Sequence, residues 1–81
     1  MNSRHAKTLA DIRRTKSTIR WPQVEALFRA LGATVTQGAG SRVIVTLNGR
    51  RAVFHRPHPA PVLSRPVVRS VAAFLSEVDD V

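Results

Sequence analysis

Arg42-Val43-Ile44-Val45-Thr46-Leu47-Asn48-Gly49-Arg50-Arg51-Ala52-Val53-Phe54-His55 is the stretch that decides the fold. Two runs of strand-forming residues flank Asn48-Gly49, the pair that a two-residue type I′ turn prefers because both of its central residues need positive φ. Such a turn leaves no freedom of register. Leu47 then faces Arg50, Thr46 faces Arg51, Val45 faces Ala52, Ile44 faces Val53, Val43 faces Phe54, and Arg42 faces His55. Side chains alternate between the two faces of a sheet. Val43, Val45, Leu47, Ala52 and Phe54 therefore make an apolar face. Arg42, Ile44, Thr46, Arg51, Val53 and His55 make the opposite, open one. Arg42 and His55 become cross-strand neighbours, with Cβ atoms roughly 5 Å apart.

Outward from the hairpin, Ala33 to Gln37 reads as a short strand, joined to Arg42 by the loop Gly38-Ala39-Gly40-Ser41. Pro57, Pro59 and Pro61 end the ladder, since proline offers no N–H. Upstream, Trp21-Pro22 opens a helix, with Trp21, Val24, Leu27, Phe28 and Leu31 as its apolar stripe. Gly32 suits the left-handed position that closes it. Downstream, Ser64 can cap a last helix with Pro66 in its first turn and Val67, Val71, Phe74, Leu75 and Val78 as its stripe. Glu77, Asp79 and Asp80 fall at its C-terminal end, where the helix dipole slightly disfavours them. The expected fold class is α+β: helix, three-stranded antiparallel meander, helix, in two layers with both helices on one face of the sheet. Residues 1–20 are expected as a basic N-terminal arm. Ala6, Leu9, Ala10 and Ile12 give it the pattern of a short helix, and 13–18 is a polar connector. Residues 21–81 are expected as the domain proper.

The chain has 81 residues and a mass of 8.9 kDa, which allows one domain. Hydrophobic residues make up 43%, too many for a disordered chain. No cysteine is present, which excludes disulfide frameworks, thiolate metal sites and cysteine nucleophiles. No apolar run approaches the roughly 20 residues of a membrane span, and residues 1–20 lack the apolar centre of a secretion signal. A cytoplasmic protein is expected. A domain of this size buries only about 60% of its unfolded surface, so chemistry is expected on an exposed face rather than in an enclosed cavity.

The net charge is +8, and it is uneven. Arg4, Lys7, Arg13, Arg14, Lys16 and Arg20 stand against Asp11 alone in residues 1–20. Arg50, Arg51, Arg56 and Arg65 meet no acid in residues 48–66. Nearly all the cations are arginine, whose planar fork matches phosphate oxygens. Such a surface favours polyanions through counterion release, and either nucleic acid or an acidic protein fits it.

A guanidinium beside an imidazole on a wet face can hold a phosphate and move a proton. RNA brings its own nucleophile, the 2′-hydroxyl, so its cleavage needs only a base, an acid and a phosphate clamp. The pattern alone also admits a plainer arrangement, with His55 packed beside Phe54 or Pro57 and Arg42 solvated. His58 follows in a proline-flanked loop. Arg50 and Arg51, at the hairpin tip, suit phosphate contacts or simple solubility. His5, His55 and His58 make a poor metal set, with no acidic ligand in the local motif. The Gly38-Ala39-Gly40 loop lacks the lysine and the following helix of a phosphate-binding loop. Ser41 has no nearby acid to complete a triad. Trp21 lies on the core side of its helix, so base stacking is not expected of it.

Gly38-Ala39-Gly40-Ser41-Arg42, then Asn48-Gly49, then His55-Arg56-Pro57-His58-Pro59 resemble the HicA family over roughly Ile19 to Val78. The resemblance implies a toxin of a type II toxin–antitoxin pair, with a fold similar to double-stranded-RNA-binding domains. It implies a ribosome-independent mRNA interferase, blocked by a HicB antitoxin that an adjacent gene usually encodes. Family members typically carry a catalytic histidine directly after Gly-Ser. That position is Arg42 here, and arginine stays protonated, so it cannot be a general base. His55, across the hairpin, is the expected replacement. The expected site is thus His55 and Arg42 as catalytic residues, with Ser41, Arg50, Arg51 and His58 contacting RNA. No metal or small-molecule cofactor is expected. The alternative expectation is a non-catalytic module of the same fold that binds RNA or an antitoxin.

Overall fold

In the computed structural model, which describes residues 2–16, 18–58 and 60–78, the chain runs α1 (Ser3–Arg13), α2 (Trp21–Ala30), β1 (Thr34–Gln37), β2 (Arg42–Leu47), β3 (Arg50–His55) and α3 (Arg65–Ser76). The strands form one antiparallel sheet in the order β1-β2-β3. All six pairs between β2 and β3, from Leu47↔Arg50 to Arg42↔His55, have the register that the Asn48-Gly49 turn demands. Asn48 and Gly49 take φ of 51° and 79°, the left-handed pair of a type I′ turn.

Val43, Val45, Leu47 and Phe54 are buried on one face of the sheet. Helix α2 brings Trp21, Val24, Leu27 and Phe28 to this core, and α3 brings Val68, Val71, Phe74 and Leu75. The α+β expectation holds. One detail of α3 differs: Val67 is only partly buried, and Val68 takes its place inside. With the helix starting at Arg65, Val68, Val71 and Leu75 follow the i, i+3, i+7 spacing of a single stripe, and Val67 falls at its margin. Asp79, Asp80 and Pro59 lie outside the described residues.

Helix α2 ends in a Schellman motif. Gly32 N–H donates to Arg29 C=O and Ala33 N–H to Phe28 C=O, both at 3.0 Å, with Gly32 at φ 92°. Its entrance is tied to that of α3. Trp21 N–H donates to Pro61 C=O at 2.8 Å, and Leu63 N–H to Ile19 C=O at 2.9 Å, around the bridge Arg20↔Val62.

The basic segment expected as an arm is docked on the body of the protein. Helix α1 packs against α2 and α3, and its Leu9 and Ile12 join the core, Ile12 with no exposed surface. Asn2 caps it, its Oδ1 accepting from His5 N–H at 2.9 Å. The helix closes with Thr15 at φ 54°, a conformation that costs a β-branched residue about 1–3 kcal/mol. Burial of Ile12 and Leu9 offsets that strain, since each buried aliphatic side chain contributes about 1.5–3 kcal/mol.

Asp11 is the one acid on α1. Its carboxylate accepts from Lys7 Nζ at 2.8 Å and lies 3.4 Å from Lys16 Nζ, joining the helix to the turn beyond it. The Lys7 hydrogen bond, with the charge of Lys16, holds the Asp11 carboxyl below its ordinary value. A lowered folded value means stability that is present above the unfolded pKa, near 3.9, and is lost as pH falls through the folded one. Asp11→Asn is therefore expected to melt earlier than the parent at neutral pH. The gap should close under acid conditions, and should narrow in high salt because Lys7 is exposed. Thermal melts across pH and salt check both.

Candidate functional site

The face of the sheet turned away from the helices is a three-by-three grid set by the strand registers. One row crosses the sheet as Thr34, Thr46, Arg51. The next is Thr36, Ile44, Val53. The last is Gly38, Arg42, His55. Val53 is 46% exposed and Ile44 half-buried, so the middle row is an apolar saddle between two cationic ends. Arg42 and Arg51 lie four residue steps apart, about 13 Å along the strands.

Arg42 and His55 are brought together as the turn requires. Arg56 N–H donates to Ser41 C=O at 2.7 Å, which makes Ser41 and Arg56 a hydrogen-bonded pair. The next pair, Arg42 and His55, is then of the non-hydrogen-bonded type. In such pairs the Cα atoms approach to about 4.5 Å and the side chains stand closest. Both residues are exposed, and neither side chain has a hydrogen-bond or ion-pair partner among the described residues. Their polar atoms are available to a ligand.

On the other side of Arg42 stands Gly38, whose N–H donates to Arg42 C=O at 2.8 Å. A Cβ placed on Gly38 would lie 3.3 Å from Arg42 Cβ and 3.8 Å from Ile44 Cδ1. Glycine here lets the Arg42 stem and Ile44 pack closely against the end of β1, where a side chain would crowd them. Behind the same end of the sheet, the Arg56 guanidinium hydrogen-bonds Gln37 Oε1. This bond ties the end of β3 to the end of β1 and keeps the row carrying Arg42 in line.

The other expected residues divide. Arg51 is exposed on the open face, at the far row. Arg50 is not on that face: it pairs with Leu47, and its guanidinium lies 3.6 Å from Glu77 at the end of α3. Ser41 precedes Arg42 on the ladder and so belongs to the opposite side of the strand. His58 is exposed beyond β3, without a hydrogen-bond partner among the described residues. Trp21 is buried in contact with Phe54, their ring centroids 6.4 Å apart, and is no stacking platform. Among the described residues, no three of His, Asp and Glu group closely enough to share an ion. Nor is any helix long and apolar enough to cross a membrane. Sequence reasoning missed Gly38 and the Gln37–Arg56 tie, because both depend on the pairing of β1 with β2. A four-residue loop joins those strands, and it does not set register as a two-residue turn does.

The fold and this face define a small basic α+β protein that offers an exposed arginine–histidine pair at one end of an open sheet. The family profile of the HicA toxin of bacterial toxin–antitoxin matches residues 21–75, about two thirds of the chain. The chain belongs to the HicA toxin family, and membership implies a cognate antitoxin as partner. Comparisons with curated proteins and with solved structures returned no match. The matched stretch holds α2, the sheet and nearly all of α3, while α1 precedes it.

Proposed function

We propose that this protein is the toxin of a type II pair and cleaves mRNA in the cytoplasm, using the open face of its sheet without a metal ion. The observation that carries this reading is the exposed Arg42–His55 pair, with Gly38 close against Arg42, in a chain of the HicA family. The fold order helix–three strands–helix agrees with the double-stranded-RNA-binding likeness that the family resemblance implies.

The chemistry needs three acts. Arg42 holds the scissile phosphate and stabilises the negative charge that grows on its oxygens. Neutral His55 takes the proton from the ribose 2′-hydroxyl as that oxygen attacks phosphorus. The bond from phosphorus to the 5′-oxygen breaks, and that oxygen gains a proton from water. The products are a 2′,3′-cyclic phosphate and a 5′-hydroxyl end. Arg51 grips a phosphate farther along the strand, the Ile44–Val53 saddle supports the sugar and base between, and His58 contacts the RNA beyond β3. This arrangement moves the histidine from the position after Gly-Ser, where the family resemblance implies it, to the neighbouring strand, and keeps it on the same patch as Arg42.

The test is incubation of the purified protein with a defined mRNA in the presence of a chelator. Fragments ending in 2′,3′-cyclic phosphate are expected, together with growth arrest on expression that the cognate antitoxin relieves. RNA that is bound but left intact would overturn the cleavage reading and make the chain a binding module. Crowding Arg42 from Gly38 gives a second check. Gly38→Val is expected to displace Arg42 and lower cleavage of the same RNA by at least about ten-fold, the equivalent of 1.4 kcal/mol. Full activity in Gly38→Val would remove the close Gly38–Arg42 approach from the mechanism.

A further inference from the structure

Helix α1 contributes nothing to the open sheet face; it packs on α2 and α3 and lies outside the family match. Along one flank runs an open groove of about 420 Å³, lined by Ala6, Leu9, Ala10, Arg13 and Arg14. Ala6, Leu9, Ala10 and Arg13 stand at i, i+3, i+4 and i+7, so they make one continuous stripe. Ala6 and Ala10 are its two smallest side chains. Four residues apart, they form a trough along an i±4 row, the kind of groove that a ridge of a second helix fills. The floor is aliphatic, and arginines stand at the end of the trough that lies toward the C-terminus of α1. Arg4 and Lys7 add positive charge on the same helix.

We propose that this groove docks an acidic, amphipathic helix of a protein partner, independently of the chemistry proposed for the sheet. Aliphatic side chains of the partner at helical spacing fill the trough over Ala6 and Ala10. Its carboxylates meet Arg14, where the charge-assisted fork of arginine fits them best. Charge complementarity selects an acidic partner, and the shape selects a helix. RNA fits the groove less well. The lining offers no ring on which a base could stack.

The probe is a synthetic Leu/Glu peptide of roughly 18 residues, five helical turns, with leucines at i, i+3, i+4 and i+7. Its control is a scrambled peptide of the same composition, which carries the same charge without the stripe. Binding to the full chain is measured by calorimetry at physiological salt. The striped peptide is expected to bind at least about ten-fold more tightly than the scrambled one. Ala6→Glu, which places a like charge in the trough, is expected to abolish the preference. Arg14→Glu is expected to weaken both the preference and the affinity. Circular dichroism and Trp21 emission confirm that the variants stay folded, and RNA cleavage by them is expected to match the parent. Equal affinity for the two peptides, or a preference that survives Ala6→Glu, overturns the proposal. Loss of single-stranded RNA affinity in Ala6→Glu with unchanged peptide binding overturns it too, and assigns the groove to nucleic acid.

Discussion

His55→Ala is expected to lower RNA cleavage by about 10²–10⁴-fold, the range that a positioned proton-transfer group contributes. The fold should survive, because His55 is exposed and makes no hydrogen bond among the described residues; such surface changes usually stay within about 0.5 kcal/mol. Single-turnover rates on a defined RNA, with melts of the same preparations, separate the two effects. Arg42→Ala should lose about 10²–10³-fold, as removal of one preorganised donor to a developing charge does. Arg42→Lys keeps the charge but not the planar fork, and should fall between parent and Arg42→Ala. If His55→Ala cleaves as fast as the parent, His55 has no part in the chemistry, and the Arg42–His55 pair is reduced to a binding contact.

Phe28→Ala is the most damaging single truncation expected in the core. Phe28 on α2 is fully buried and meets Phe54 of β3 at 5.8 Å and Phe74 of α3 at 6.0 Å, while Phe54 and Phe74 meet each other at 6.0 Å. Three rings from three elements thus close a triangle that joins the sheet to both of its covering helices. Truncating one corner removes apolar burial, leaves a cavity and breaks two aromatic contacts. Buried Phe→Ala changes cost about 3–5 kcal/mol. A chain of 81 residues has roughly 4–12 kcal/mol in total at the usual stability per residue. Phe28→Ala should therefore lose roughly a quarter or more of the stability and lie closer to unfolding at physiological temperature. Trp21, the single tryptophan, packs against Phe54, so its emission in a urea titration reports the transition. A midpoint within about 1 kcal/mol of the parent would show that the triangle is not the keystone of this core.

The hairpin could be read from the chain because its causes are local. A two-residue turn with positive φ at Asn48 and Gly49 leaves one register, and the two-residue period of a strand then assigns every side chain to a face. Arg42 and His55 follow from that alone. The ends of α2 and its stripe were legible for similar reasons: Gly32 closes the helix, and Trp21, Val24, Leu27 and Phe28 keep a 3.6-residue period. The placement of Arg50 is a milder case. Register put it opposite Leu47, but its pairing with Glu77 joins residues 27 positions apart in sequence, at 3.6 Å. No local pattern signals such a contact.

Short-range rules therefore determined the α+β architecture and the arginine–histidine pair, because turn stereochemistry and side-chain alternation act within a few residues. Tertiary structure alone decided the place of α1 and the close approach of Gly38 to Arg42. Helix α1 carries a weak apolar pattern and ends at a strained Thr15 rather than at a glycine, so nothing in residues 1–20 announces a docked helix. Ile12 is buried because α2 and α3, far along the chain, together offer the apolar surface it fills. Likewise Gly38 stands beside Arg42 only once β1 has found its pairing with β2. Such contacts follow from surfaces that do not exist until distant segments have met.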